Sequence, residues 1–345
     1  MNKGFWDKLR SPFFVLAPMA DVTDFAFRKI IAKYSKHARR SFNEGGPDVF
    51  WTEFVSADGL CSLGKENLLP MLKYDESMRP IVAQIFGSNP QKMCEAAILI
   101  KKLGFDGLDI NMGCPDRAIL KQGAGGALIK NPALAKELIL AAREGAKGLP
   151  VSVKTRIGVS RPMLEEWFGF LANQNLAAIT VHLRTVKELS EVPAHWDLMP
   201  EIVKLVKNVE GAPPHILGNG DVMSLREAEE KCTQTGADGV MLGRAIFGNP
   251  WLFNPRVKFA EITLEQKIKV MLEHTKLFEK TFKGKKNFDL MKKHYKAYIN
   301  NFPGAKELRN ELMQTKTAKQ VADIVKKFEA RLVRRSFSEV GSTKF

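Results

Sequence analysis

Eight short apolar segments recur along the first 250 residues, with helix-like stretches between them. The segments are Phe13–Ala17, Val49–Phe54, Ile81–Phe86, Gly107–Asn111, Val151–Thr155, Ala178–His182, His215–Gly218 and Gly239–Leu242. Most are rich in β-branched or aromatic residues and are bounded by Gly, Pro or Asp, the marks of buried strands. Between them Pro90–Leu103, Pro132–Gly145, Pro162–Asn173, Met199–Val206 and Ser224–Thr235 carry a helical period. Pro90 and Pro132 suit a first helical turn, where the missing N–H costs nothing. Strand then helix, repeated eight times, predicts an α/β chain of the (β/α)8 TIM-barrel kind. An open doubly wound sheet is the rival, disfavoured because no Gly-x-Gly-x-x-Gly follows the first strand. After Pro250 strand signals vanish. From Thr263 to Leu332 the period is helical, broken at Pro303-Gly304, which predicts two to four helices. The expected organisation is a barrel over residues 1–257, a helical domain over 262–333 and a flexible tail over 334–345.

Charge divides along the same line. From Ile262 to Phe345 there are 20 basic residues against 9 acidic, an excess of +11, out of +15 for the whole chain. A basic excess gathered in one quarter suggests a polyanion partner, of which nucleic acid is the common one. The plainer alternative is a solvated, lysine-rich helical surface. No apolar run is long enough to span a bilayer, and Met1 to Arg10 lacks a signal-peptide core. The cysteines, Cys61, Cys94, Cys114 and Cys232, are widely spaced with no CxxC pair. That argues against a zinc site or a disulfide framework and fits a reducing cytosol, so a cytoplasmic protein without membrane contact is expected; the sequence does not fix the oligomeric state, with a monomer as the default expectation. Cys61, Cys94 and Cys232 fall in helix-like patterns and read as packing residues.

Cys114 reads differently. The apolar run Gly107–Ile110 stops at Gly113-Cys114-Pro115, with Asn111 before it and Gln122-Gly-Ala-Gly-Gly126 after it. A cysteine in a turn at a strand mouth is placed to meet a ligand; the plainer alternative is a turn cysteine with no partner. In a barrel the active site lies at the carboxyl ends of the strands. Pro18 and Met19 follow the first strand, and Gln84 lies on the third. Lys154 and Arg156 lie on the fifth, and His182 ends the sixth with Arg184 beyond it. Gly218-Asn219-Gly220-Asp221 ends the seventh and Gly243-Arg244 the eighth. A buried lysine is costly without an anionic partner. Glycine N–H groups and an arginine at the last two strands suit a phosphate. Phosphate, lysine and an amide such as Gln84 together describe a flavin mononucleotide (FMN) pocket, with Lys154 facing the N1/O2 edge of the reduced ring.

The motifs Pro18-Met-Ala20, Asp109-Ile-Asn-Met-Gly-Cys-Pro115, Gly123-Ala-Gly125, Val153-Lys-Thr-Arg-Ile-Gly158, Val181-His182, Asn219-Gly-Asp221 and Gly243-Arg244 resemble the tRNA-dihydrouridine synthases. Lys292-Lys-His-Tyr295 and Phe302-Pro-Gly-Ala-Lys306 resemble that family's helical domain, so the likeness runs from Phe14 to about Leu332. It implies an FMN enzyme that reduces a uridine in tRNA with NADPH as electron donor. By position, Pro18, Met19, Gln84, Lys154, His182, Asn219, Asp221, Gly243 and Arg244 would hold FMN. Cys114 would be the general acid, and Asn111, Arg156 and Arg184, with His182, would lie near the uracil. Two departures stand out. Val181-His-Leu-Arg-Thr185 puts Leu183 where the family has glycine, and Val186 to His195 lacks the usual pattern. Ser35 to Pro47 reads as an insertion near the site. Two alternatives stay open: an FMN barrel oxidoreductase acting on a small molecule such as dihydroorotate, and a nucleic-acid-binding protein without catalysis.

Overall fold

The computed structural model describes residues 3–35 and 46–341, and side chains as far as residue 332. The chain forms two compact units, one of Met1–Ile246 with Trp251–Pro255, the other of Phe247–Pro250 with Arg256–Phe345.

The first unit is built on eight strands: β1 (Phe13–Leu16), β2 (Phe50–Ser56), β3 (Ile81–Phe86), β4 (Gly107–Met112), β5 (Val151–Arg156), β6 (Ala178–His182), β7 (His215–Asn219) and β8 (Gly239–Leu242). They pair in parallel in the order β1-β8-β7-β6-β5-β4-β3-β2. Backbone bonds from Asp48 to the Phe14 carbonyl (2.8 Å) and from Leu16 to the Val49 carbonyl (3.2 Å) join β1 to the entry of β2 and close the sheet. All six residues of β4 are buried, as strands covered on both faces require. Helices alternate with the strands. Asn89 and Asn131 cap the helices Pro90–Lys102 and Pro132–Ala146, each with proline in its first turn. Trp6, from the turn Gly4–Lys8, packs on Phe13, Trp51 and His215 near the starts of β1, β2 and β7. It seals the end of the barrel opposite the site.

Two details differ from the sequence reading. A helix at Phe25–Ser35 was not anticipated; Asp24 caps it by accepting from the Phe27 N–H at 3.0 Å. The helix after β5 starts at Leu164, not Pro162, because Pro162 bridges back to Gly158. Of the expected insertion, residues 36–45 lie outside the described residues.

The second unit contains the helices Leu264–Phe282, Lys292–Tyr298, Ala305–Leu312 and Ala318–Gly341. Thr263 and Gln266 form a capping box at the first. Phe278, Phe282, Tyr295, Tyr298, Leu308, Val321 and Phe328 fill its core. Gly284 and Gly304 adopt left-handed φ of 74° and 83° at chain reversals that other residues enter only under strain. The last helix runs through residues 334–341, where a frayed tail was expected; no glycine or proline interrupts Ala318 to Val340. Among the described residues no helix is long and apolar enough to cross a membrane.

Candidate active site

The strand ends gather two linked groups of side chains. The first surrounds a cavity of about 250 Å³ lined by Pro18, Met19, Lys154, His182, Arg184, Asn219, Asp221, Gly243 and Arg244, with Ala17, Ser190, Gly220, Val222, Met223 and Met241. The second, on β3, β4, β5 and the turn after β4, holds Gln84, Asn111, Cys114 and Arg156.

Lys154 and Arg156 are two residues apart on β5 and share its inner face. Lys154 Nζ donates to Asn219 Oδ1 at 3.2 Å. Burial pushes its ammonium down to about 8; Arg156 adds to this, while Asp109 and Cys114 oppose it. Asn219 donates to the Met241 carbonyl at 2.8 Å, which holds its oxygen toward the lysine. His182 is pushed down to about 2, by burial first and then by Lys154, Arg156, Arg184 and Arg244, so its ring is neutral. Arg184 Nη1 lies 3.1 Å from His182 Nε2. A guanidinium can only donate, so Nε2 accepts and the ring proton sits on Nδ1.

Asp221 joins the two arginines of this group. Its carboxylate accepts from Arg184, from Arg244 and, at 2.8 Å, from the Ala194 N–H. These partners hold it below the usual carboxylate range despite burial. Its φ of 59° and that of Gly220, 134°, make the sharp exit from β7. Arg184, expected at the uracil, spends its donors inside the protein: Nε on the Val192 carbonyl (2.6 Å), Nη1 on His182 and Nη2 on Asp221. Arg244 is the more exposed arginine, with 57% of its side chain open.

In the second group Asn111 organises the cysteine turn. Its Oδ1 accepts from the N–H groups of Gly113 (3.1 Å) and Cys114 (2.9 Å). The glycine-rich segment closes on the same turn, Gly126 donating to the Cys114 carbonyl at 3.0 Å. A Cβ on Gly125 would lie 2.9 Å from that carbonyl oxygen, so the close approach requires glycine. Burial raises the Cys114 thiol above its ordinary 9.0, with Asp116 adding to it; the Asp116 N–H, Arg156 and Lys154 pull the other way. The thiol keeps its proton at neutral pH. Arg156 ties the turn to the loop after β6. It donates to the carbonyls of Gly113 (2.9 Å), Thr185 (2.8 Å) and Leu189 (2.9 Å). Gln84, expected at the cofactor, is fully buried and bonded to Asp109 and Asn111.

The departures after β6 are accommodated. Leu183 is fully buried. The loop beyond it is stitched by Glu188, which accepts from the Thr185 N–H at 2.7 Å and lies 3.0 Å from His195 Nε2. Sequence reasoning missed Ser190 and Met223 in the cavity wall, because neither residue type carries a chemical signal. Gly220 was legible only as the middle of Asn219-Gly-Asp221.

These features define a class: a parallel barrel with a basic cavity at its strand ends beside a turn that carries a protonated thiol. A model of the family described as dihydrouridine synthase (Dus) matches residues 15–334. "Probable tRNA-dihydrouridine synthase 2" of Bacillus subtilis is 40% identical over 335 residues, covering 96% of this chain and 98% of that protein. "Probable tRNA-dihydrouridine synthase" of Staphylococcus aureus is 37% identical over 340 residues, covering 96% and 98%. The chain belongs to the dihydrouridine synthase family. Histamine dehydrogenase from Rhizobium sp. 4-9 shares the barrel with a TM-score of 0.51 at 13% identity, over 77% of this chain and 48% of that one. That likeness concerns the fold alone.

Proposed function

We propose that this protein reduces the C5–C6 double bond of a uridine in tRNA to 5,6-dihydrouridine, with FMN held in the strand-end cavity and NADPH as the electron source. One observation carries the site assignment: Lys154 and Asn111 are register partners across β5 and β4. The lysine of the cavity and the residue that holds the Cys114 turn therefore meet at one strand end.

The donor set fits FMN. Arg244 and the backbone at Gly220 and Gly243 suit a phosphate, with Pro18 and Met19 as the apolar wall. The space beside Gly243 is uncrowded, since even an added Cβ would meet only Ala17 and Met19, at 3.5 Å. Lys154 Nζ and the His182 Nδ1–H suit the electron-rich edge of the ring. When bound and reduced, FMN would supply hydride chemistry for C6 of the uracil. Cys114 then gives the proton that C5 requires, a task for a thiol rather than a thiolate. Asn111 and Arg156 border the uracil. Arg184 and Asp221 act as positioning residues, holding His182 in one tautomer and Arg244 in place, and Gln84 holds Asn111. The target base must leave its stack to reach a strand mouth. The basic helices carry the sign that a tRNA backbone requires.

The test is the purified protein itself. It should be yellow with flavin absorption bands, and Lys154→Ala or Arg244→Ala should weaken flavin retention. Flavin-free protein that cannot be reconstituted with FMN would sink the reading.

A further inference from the structure

A buried carboxylate lies two residues before Asn111. Asp109 on β4 is fully enclosed. Its register partners are Gln84 on β3 and Ser152 on β5. Ser152 Oγ donates to Asp109 Oδ1 at 2.5 Å, and Gln84 Nε2 donates to Oδ2 at 2.7 Å. Gln84 Oε1 accepts from Asn111 Nδ2 at 3.1 Å. Asn111 Oδ1 in turn accepts from the N–H groups of Gly113 and Cys114, at 3.1 and 2.9 Å. An unbroken chain of hydrogen bonds thus runs from Asp109 to the cysteine turn.

The chain has a direction. A carboxylate only accepts, and a backbone N–H only donates, whereas a primary amide has one end of each kind. Asp109 therefore fixes which end of Gln84 faces residue 109 and which faces Asn111, its neighbour two residues on along β4. Gln84 then fixes which end of Asn111 faces the turn. Without the acceptor at residue 109, Gln84 is free to turn over and present its NH₂ to the NH₂ of Asn111. Asn111 would have to turn as well, and its oxygen would leave the Gly113 and Cys114 N–H groups. Donors buried without partners are costly, and hydrogen-bonded chains stand or fall together.

We propose that Asp109 is a positioning residue for Cys114: by fixing the amide polarity of Gln84 and Asn111 it holds the turn that presents the thiol. The proposal deepens the reading of Cys114 as the proton donor and rests on it. Asp109 also faces Lys154 electrostatically, so a bare counter-charge role is the competing account.

Two variants separate the accounts. Asp109→Ala removes the acceptor. Asp109→Asn removes the charge but can still offer an oxygen to Gln84 while its NH₂ donates to the Ser152 hydroxyl. The readout is the rate of iodoacetamide alkylation of Cys114 in the full-length, flavin-loaded protein, resolved by peptide mass spectrometry, with Cys61 and Cys94 as internal controls. The Ala variant should alkylate about tenfold faster at Cys114 alone, the scale of removing one buried hydrogen bond. The Asn variant should stay near the native rate. An unchanged Cys114 rate in a folded Ala variant overturns the proposal, as does an equal rise in both variants. Should Asp109→Ala fail to fold, Gln84→Leu cuts the same chain one link nearer the turn and must raise the rate; no rise overturns the proposal. Alkylation reads the turn without any uridine reduction. Failure of the acid role, seen as normal turnover in Cys114→Ala, is therefore a separate result.

Discussion

Cys114 can act as an acid only while its thiol holds its proton. Burial raises the thiol above 9.0, so the protonated form is present throughout the neutral range and is lost as pH rises past that value. In single-turnover uridine reduction across pH, the limb set by this thiol should accordingly lie above pH 9, apart from any limb set by Lys154 near 8. Cys114→Ala should keep FMN and NADPH-driven flavin reduction, yet lose about 10² to 10⁴-fold in uridine reduction. Cys114→Ser should keep a trace, since a hydroxyl is a much weaker acid. Normal turnover in both variants would leave the cysteine as packing only. Lys154 carries the opposite shift. Its folded value of about 8 lies below its ordinary 10.5, so between them the unfolded chain binds more protons. Stability of the flavin-free protein should therefore rise with pH across that window. Lys154→Met should flatten the rise and hold flavin weakly, without lowering the melting temperature at neutral pH. A flavin-free Lys154→Met protein that melts lower than native would show that the lysine is structural. Charged and thiol groups of this kind were legible in the sequence because their residue types stand out at strand mouths. What each guanidinium touches was not. Arg156 and Arg184 end on the carbonyls of Leu189 and Val192, which no spacing rule connects to them.

The strands were legible because each is a short apolar run stopped by Gly, Pro or Asp. Helices announced by a cap and a proline, such as Pro90–Lys102, were legible too. The helix Phe25–Ser35 was not, since Phe25-Ala-Phe27 alternates like a strand and its cap, Asp24, sits among other turn-forming residues. Glycines at the strand ends mark close approaches that composition alone could not assign. A Cβ on Gly218 of β7 would enter the Trp196 ring, whose Nε1 donates to the Gly220 carbonyl at 2.8 Å. Gly218→Ala should cost about 1 to 3 kcal/mol by overpacking, read from the urea midpoint. It should also loosen flavin, because Trp196 braces the exit of β7 that carries Asn219 and Asp221. A native-like midpoint would show that the ring moves aside freely.

At the scale of the whole molecule, charge separates the two units. Residues 262–345 hold an excess of +11, against +4 for the rest of the chain. That asymmetry is plain in the sequence alone, as is the change from strands to helices near Pro250. Lys276, Lys280 and Lys283 are exposed on or just after the helix Leu264–Phe282. If that surface meets the tRNA backbone, replacing all three with Ala should flatten the slope of log affinity against log salt by about one unit for each phosphate no longer neutralised. Flavin content should not change. An unaltered salt slope would place the tRNA-binding surface elsewhere.

In the proposed function, one strand-end site would hold a flavin and pass its electrons to a uridine of tRNA. The direct measurement is anaerobic. Flavin-loaded protein is reduced with NADPH, freed of excess donor and mixed with unmodified tRNA, while flavin absorbance and nucleoside mass are followed together. Flavin reoxidation should be matched one for one by 5,6-dihydrouridine, with both processes slowed together in Cys114→Ala. Reduced flavin that persists in the presence of tRNA, or reoxidises without forming dihydrouridine, would contradict the proposed function.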